Sequence, residues 1–363
     1  MRTATPRAAG WEASYAVPPE SLAIFRMFFG VALLLVLLPR FQWIAGFPDT
    51  FYDPRPGLPA AFSGFPHSLY FIFVDAVLMT AAIFLVAGRR VTLASIAVTA
   101  ALLAGDTSAY GFGKIDHDIL LVVLPVFLAA AGWNGRPRDN GRAMALLAVV
   151  VALGMATGAW QKIESGWLTQ PASAVLGHGV TFAVWEGESA SWTLALRLFP
   201  PATWKAMDYV TVAFEAAFVV AVARARAFRA LCGVACFFHV AVAVLMRLLF
   251  VWNIPAYAAF LDWERLLARL RMAAPVARLQ GWLAGRSEVA LVAVSALWCA
   301  MAFRWGSPVQ LAVRLLGPQF RLVPGTIAIC TAAVVVVAVM ALRLQRLLPA
   351  ARRPGGPRAP TGT

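Results

Sequence analysis

The chain has 363 residues, of which 61% are hydrophobic and only 13% charged, and its mean hydropathy is +0.74. A soluble domain is nearer half apolar and a quarter charged, so this composition leaves too little polar surface to keep the chain dispersed in water. The net charge of +14 would suggest nucleic acid on a soluble domain, but the Lys and Arg residues sit in short connections between apolar runs, the pattern of a membrane protein.

Residues 1–20 form a polar N-terminal segment with no small-residue cleavage site after the first apolar run, so that run reads as a signal anchor. Crossings of about 20 apolar residues each are expected in turn along the chain. They are Ser21–Leu38, Leu69–Gly88, a short Val91–Gly105, Ile115–Trp133, Ala143–Lys162, Met207–Ala223, Ala227–Leu249, a shorter Phe250–Trp263, Glu288–Phe303 and Val323–Leu342. Phe41–His67 is a connection rich in Pro, Gly and aromatics, and Gly166–Lys205 holds Trp167, Trp185, Trp192 and Trp204. Glu264–Arg286 alternates Leu and Ala with Arg and reads as an interfacial amphipathic helix. Arg352–Thr363 is Pro/Gly-rich and is expected to be disordered.

The expected fold is therefore an all-α, polytopic transmembrane helical bundle of about 9–10 helices. Its parts are a cytoplasmic N-terminal segment (1–20), a transmembrane domain (21–265), a cytoplasmic amphipathic segment (266–287), C-terminal transmembrane helices (288–345) and a cytoplasmic tail (346–363). Basic residues concentrate in every second connection: Arg89–Arg90, then Arg136, Arg138 and Arg142, then Arg224, Arg226 and Arg229, then Arg265–Arg286, and the tail from Arg343 to Arg353. The positive-inside rule puts both termini in the cytoplasm and the chain in the cell (inner or plasma) membrane.

Cys232, Cys236, Cys299 and Cys330 lie in apolar runs and read as buried, inert thiols. An ionisable residue inside a crossing is expensive and is a functional candidate by default. Arg26 and Asp75 are accounted for by snorkelling, a carboxylate partner or a helix-packing hydrogen bond. A second set gathers toward the outer end and the midplane. Asp116, His117 and Asp118, preceded by Lys114, open one crossing, and Lys162 and Glu164 close the next. Glu215 and His239 stand in the middle of the two crossings that follow, where each needs a partner and a hydrogen bond between them is the simplest solution. The set is too sparse in ligands for a metal site.

An amine shielded from water loses part of its charged form and becomes a general base, and a neutral imidazole can donate to a developing oxyanion. Lys162 with His117, His239 and Glu215 thus fits proton abstraction from a membrane-soluble acid such as a phenol or quinol.

These same stretches carry a resemblance. SLAIFRMFFGVALLL, TFYDPRPGLPAAF, KIDHDILL, TGAWQKIESGWL, the Glu215/His239 pair and LLFVWNIPAYAAF follow one another over residues 20–265. In order and spacing they resemble the HTTM family, the membrane domain shared with vitamin K-dependent gamma-carboxylase. The resemblance implies a Lys that deprotonates reduced vitamin K before oxygen converts it to an epoxide. By position that base is Lys162, with His117 as hydrogen-bonding partner and His239 as a core histidine, and the cofactor is a reduced, vitamin K-like quinone. The activity the resemblance implies is that of a carboxylase/epoxidase-like lyase or oxidoreductase, and the single Lys in the motif, beside Gln161, counts against its peptide-carboxylation part.

Two other functions fit the residues. A non-catalytic scaffold or maturation factor would hold an exported peptide or protein on the outer aromatic loops. A proton-coupled transporter would use Glu215 and His239 as a relay. The expected partners are the lipid bilayer, a quinone or lipid-like small molecule and an exported peptide, with no nucleic acid.

Overall fold

The computed structural model describes residues 10–54, 56–112, 118–133, 140–186, 190–246, 253–308 and 310–311. Pro19 starts α1 (Pro19–Ala32) at the position where a missing N–H costs nothing, and the helix runs on through one π-helical turn, Leu33–Leu37. Short 3-10 turns then carry the chain to α2 (Ser68–Ala87). There follow α3 (Val91–Ala109), α4 (Ile119–Ala131), α5 (Gly141–Glu164), α6 (Ala174–Glu186), α7 (Ala190–Leu198), α8 (Pro201–Ala221), α9 (Ala225–Met246), α10 (Ile254–Ala258), α11 (Trp263–Arg269), α12 (Ala273–Ala284) and α13 (Glu288–Trp305). Among the described residues every regular element is helical.

Five segments are long and apolar enough to cross a membrane: Pro19–Gly46, Ser68–Ala87, Val91–Phe112, Gly141–Glu164 and Glu288–Trp305. α4 is apolar but shorter, and α8, though 21 residues long, carries Lys205, Asp208 and Glu215. The pairs α1–α2, α2–α3, α3–α4, α4–α5 and α5–α8 pack side by side; short connections make neighbours of α2–α3, α3–α4 and α4–α5, whereas longer segments separate the other two pairs in the chain.

Long-range hydrogen bonds tie one end of the bundle together. Tyr15 Oη donates to Val222 O (2.7 Å), Ser21 Oγ to Asp262 Oδ1 (3.1 Å), and Arg90 Nε to Glu288 Oε1 (2.8 Å). The starts of α1, α3, α11 and α13 and the end of α8 therefore share this end, together with Arg89, Arg224, Arg226 and Arg265.

Near it, Arg26 is 6% exposed. α1 comes close to α2 at Gly30, where an added Cβ would stand 2.7 Å from Val86 and 2.9 Å from the Ala82 carbonyl. Arg26, one turn earlier, reaches between two helix ends. Its Nε donates to Leu85 O at the end of α2 (2.9 Å), and a terminal nitrogen donates to Trp133 O just past α4 (2.7 Å). The last carbonyls of a helix have no intrahelical donor and carry partial negative charge, so an arginine satisfies both needs at once. Gly88 (φ 71°) and Gly132 (φ 83°) close α2 and α4 in matching turns: Arg89 N donates to Phe84 O (3.0 Å) and Trp133 N to Leu128 O (3.1 Å). Arg26 is thus met by backbone carbonyls rather than by water or a carboxylate.

Two expectations change. Phe250–Trp263 does not form one membrane-length helix: from Asn253 it holds the five-residue α10 and a turn. This stretch returns to the Ser21 end while buried in the bundle, with Ala256, Tyr257, Ala259 and Phe260 each 3% exposed or less. Irregular backbone is tolerated at such a depth where protein covers it. The amphipathic segment is two helices, α11 and α12, broken at Arg271 (φ 57°); α11 packs on the first turns of α1, and α12 on α2, with Val276 beside Val86 of its last turn. Val323–Leu342 and Cys330 lie outside the described residues, whereas Cys232 and Cys236 are buried as expected.

Replacing Arg26 by Met removes two charged-donor hydrogen bonds from buried carbonyls and is expected to cost about 2–4 kcal/mol. Gly88→Ala should also destabilise, because its Cβ would lie 2.6 Å from the Arg26 guanidinium at a left-handed φ. Thermal unfolding in detergent checks both, and midpoints equal to the unmodified protein's would count against the capping role.

Candidate functional site

α5 carries small residues on the faces turned to its neighbours. A Cβ on Gly154 would meet Leu120 of α4 at 3.4 Å. One turn further, a Cβ on Gly158 would stand 3.3 Å from Glu215 Oε2 and 3.6 Å from Lys162 Nζ. Gly158 therefore makes the room into which α8 delivers the Glu215 carboxylate. Lys162, one turn on from Gly158, meets that carboxylate squarely: Nζ lies 2.9 Å from Oε1 and 2.7 Å from Oε2, and 3.4 Å from Gly158 O. The side chains are 20% (Lys162) and 10% (Glu215) exposed, so the pair is shielded from water but not sealed.

The end of α5 places an aromatic ring over this pair. Gly166 (φ 84°) closes the helix with Gly166 N donating to Ile163 O and Trp167 N to Lys162 O (3.1 and 3.0 Å). The turn folds Trp167 back until the Lys162 ammonium lies 5.4 Å from its ring centre, within cation–π range. α8 then fastens the strap that follows. Tyr209 Oη donates to Leu168 O (3.1 Å), and Lys205 Nζ donates to Trp167 O. Asp208, fully buried, accepts from Ser173 Oγ and from the backbone N–H groups of Ala174 and Val175, capping α6 where a carboxylate is favoured.

His239 of α9 is 5% exposed, and its Nε2 lies 3.2 Å from Tyr257 Oη, with the two rings stacked at 13°. Tyr257 Oη is also 3.4 Å from Met155 Sδ on α5, so Tyr257 of α10 bridges α9 to the helix that bears Lys162. The expected Glu215–His239 hydrogen bond is replaced by two separate pairings. Both oxygens of Glu215 go to Lys162, and His239 takes Tyr257.

His117, with Lys114 and Asp116, lies outside the described residues. Asp118, expected beside Lys162, instead joins a second cluster centred on Arg40. The Arg40 guanidinium donates to Asp106 Oδ1 (3.3 Å from Nε, 3.0 Å from a terminal nitrogen) and to Asp118 Oδ2. The backbone N–H groups of Arg40 and Phe41 donate to Asp75 (3.0 and 3.1 Å). Phe41 packs on Gly105, the residue before Asp106, which sets the register. Arg40 is not among the candidates that the sequence singles out, although its place at the end of the first crossing, opposite the arginine-rich connections, is a signal. Among the described residues no three His, Cys, Asp or Glu side chains converge to hold a metal. Of the loop tryptophans, Trp192 and Trp204 are buried against each other (5.2 Å) rather than presented outward.

Compared with known protein families, curated proteins and solved structures, the chain matches none. The likeness to the HTTM family therefore rests on the residues quoted above.

Removing one partner of a shielded ion pair strands the other charge. Lys162→Met should destabilise by about 3 kcal/mol, and Lys162→Met with Glu215→Met should recover most of that loss. A double-mutant cycle of unfolding free energies reads the coupling, and additive effects would show that the pair is not energetically joined.

Proposed function

We propose that the protein is a polytopic membrane enzyme that takes a proton from a lipid-soluble acid of the phenol or quinol class at the Lys162–Glu215 pair. The observation that carries this reading is the pair itself: one lysine and one carboxylate, shielded by apolar helices, with an aromatic ring over the ammonium.

The membrane placement is supported by the five apolar helices and by the arginines gathered at one end of the bundle. With that end in the cytoplasm, the N-terminus is cytoplasmic and Lys162 faces the outer half of the cell (inner or plasma) membrane; the crossing expected over Val323–Leu342 would return the C-terminus to the cytoplasmic side. The α10 stretch counts as a crossing because it returns the chain to the Ser21 end.

The proton balance is simple. An acid ROH enters beside Trp167, and its O–H bond breaks toward the pair. The pair starts as ammonium and carboxylate, as its two short N–O contacts favour, and one added proton gives Lys162 ammonium and Glu215 carboxylic acid. The pair goes from net zero to +1 and faces the RO⁻ it has created, so charge is balanced inside the site. Trp167 supplies a flat apolar surface for an aromatic ring. Tyr257 and His239 support α5 from behind through Met155, as positioning residues. A reduced quinone related to vitamin K is the substrate or cofactor that the HTTM resemblance implies, and epoxidase or lyase chemistry would follow from its anion.

The test uses the protein in nanodiscs with reduced short-chain menaquinone under anaerobic conditions. The bound quinol should show the absorbance of its anion at a pH where free quinol is neutral. Lys162→Ala and Glu215→Gln should each lower that signal at least tenfold, about 1.4 kcal/mol or more of lost anion stabilisation. Equal signals in all three proteins, or none in any, would contradict the reading and leave the scaffold or maturation-factor function.

A further inference from the structure

A second feature is formed by helices other than the α5 and α8 that carry the Lys162–Glu215 pair. α2, α3 and the start of α13 enclose an open groove of about 590 Å³. Ala76, Ala94 and Ala97 form its floor, while Phe73, Phe84 and Leu93 form its walls. Phe73 and Leu93 are 67% and 65% exposed, so the groove is open along its outward face.

The groove has one polar end. Arg90 and Glu288 line it there, with Arg90 Nε 2.8 Å and an Arg89 terminal nitrogen 3.5 Å from Glu288 Oε1. Gly88 and Arg90 both adopt left-handed backbone (φ 71° and 47°). This tight turn is what places two successive arginines over the mouth. Two guanidinium groups and one carboxylate leave a local charge of +1.

Length decides what fits. The wall on α2 runs from Phe73 to Phe84, eleven residues or about 16 Å of helix axis. The hydrocarbon core of a bilayer is about 30 Å thick, so the groove spans one leaflet, from the arginine end to the midplane. An occupant must be apolar over that length and carry one negative charge at its tip. A phosphodiester headgroup followed by an acyl chain has this shape and this charge.

We infer that the α2–α3–α13 groove is a phospholipid-binding site of the arginine-side leaflet, with the headgroup phosphodiester on Arg89 and Arg90 and one acyl chain along the Phe73–Phe84 wall. The site rests on the membrane placement proposed above but on no proton transfer. Incorporation into nanodiscs reports the first separately from lipid binding.

The probe is phosphatidylglycerol with a photoreactive group on one acyl chain, added to the full-length protein in phosphatidylcholine nanodiscs and mapped by peptide mass spectrometry. Label is expected on the α2 and α3 peptides. Arg89→Gln with Arg90→Gln should weaken labelling roughly tenfold, and Ala97→Leu, which fills the floor, should abolish it. Arg224→Gln with Arg226→Gln, at another basic connection, should leave it unchanged. A detergent melt of Ala97→Leu matching the unmodified protein shows that the fold survives. Labelling indifferent to both changes at the groove would overturn the site. So would displacement of the label by inorganic phosphate alone, or an α2–α3 face that yields cross-links only to another segment of this chain.

Discussion

Charge inside an apolar bundle must be met where it stands, because no water is there to meet it, and this requirement organises the molecule. Arg26 is answered by carbonyls at the ends of α2 and α4, and Arg40 by Asp106 and Asp118, with Asp75 holding the adjoining backbone. Arg26 thereby fixes the relative heights of three elements and Arg40 those of four. α1 is placed against α2 and α4 at its first turns by Arg26, and against α2, α3 and α4 at its far end by Arg40. These clusters use backbone carbonyls or several carboxylates, and their groups are spent on holding helices together.

Lys162 and Glu215 solve the same problem more sparingly. One lysine and one carboxylate meet across a gap opened by Gly158, and among the described residues no third charged group pairs with them. A shielded ion pair is a poor way to gain stability, since well-packed apolar side chains of the same volume do as well or better. In the proposed function its distinctive property would be to gain a proton and become a cation where it stands. The turn at Gly166 and the strap pinned by Lys205, Asp208 and Tyr209 hold Trp167 over that cation. That arrangement is what the proposed function requires of a site for an aromatic anion.

Much of this was legible in the sequence. The apolar runs gave the helices, and the rule that intramembrane charge needs a reason singled out Lys162, Glu215 and His239. What could not be read was the pairing. Lys162 and Glu215 are 53 residues apart, and nothing local to either prefers the other over His239. Tyr257 was invisible as a partner because it sits in a run whose composition, Phe250–Trp263, reads as a plain crossing. Pro255 and the polar Asn253 interrupt that run, and packing against the rest of the bundle lets the interruption survive. Arg40 was missed for a related reason: at the end of an apolar run an arginine looks like a snorkelling residue, and only the tertiary contacts of Asp106 and Asp118 reveal it as buried.

The central claim is that the Lys162–Glu215 pair takes up one proton when an acidic hydroxyl binds. Infrared difference spectroscopy of the protein with and without a reduced naphthoquinone reads this at the carboxyl itself. The account predicts a new carboxylic-acid C=O band on binding, absent in Glu215→Gln and shifted when the solvent is exchanged for D₂O. Bound quinol with no new carboxyl band, or with the same band in Glu215→Gln, would contradict it.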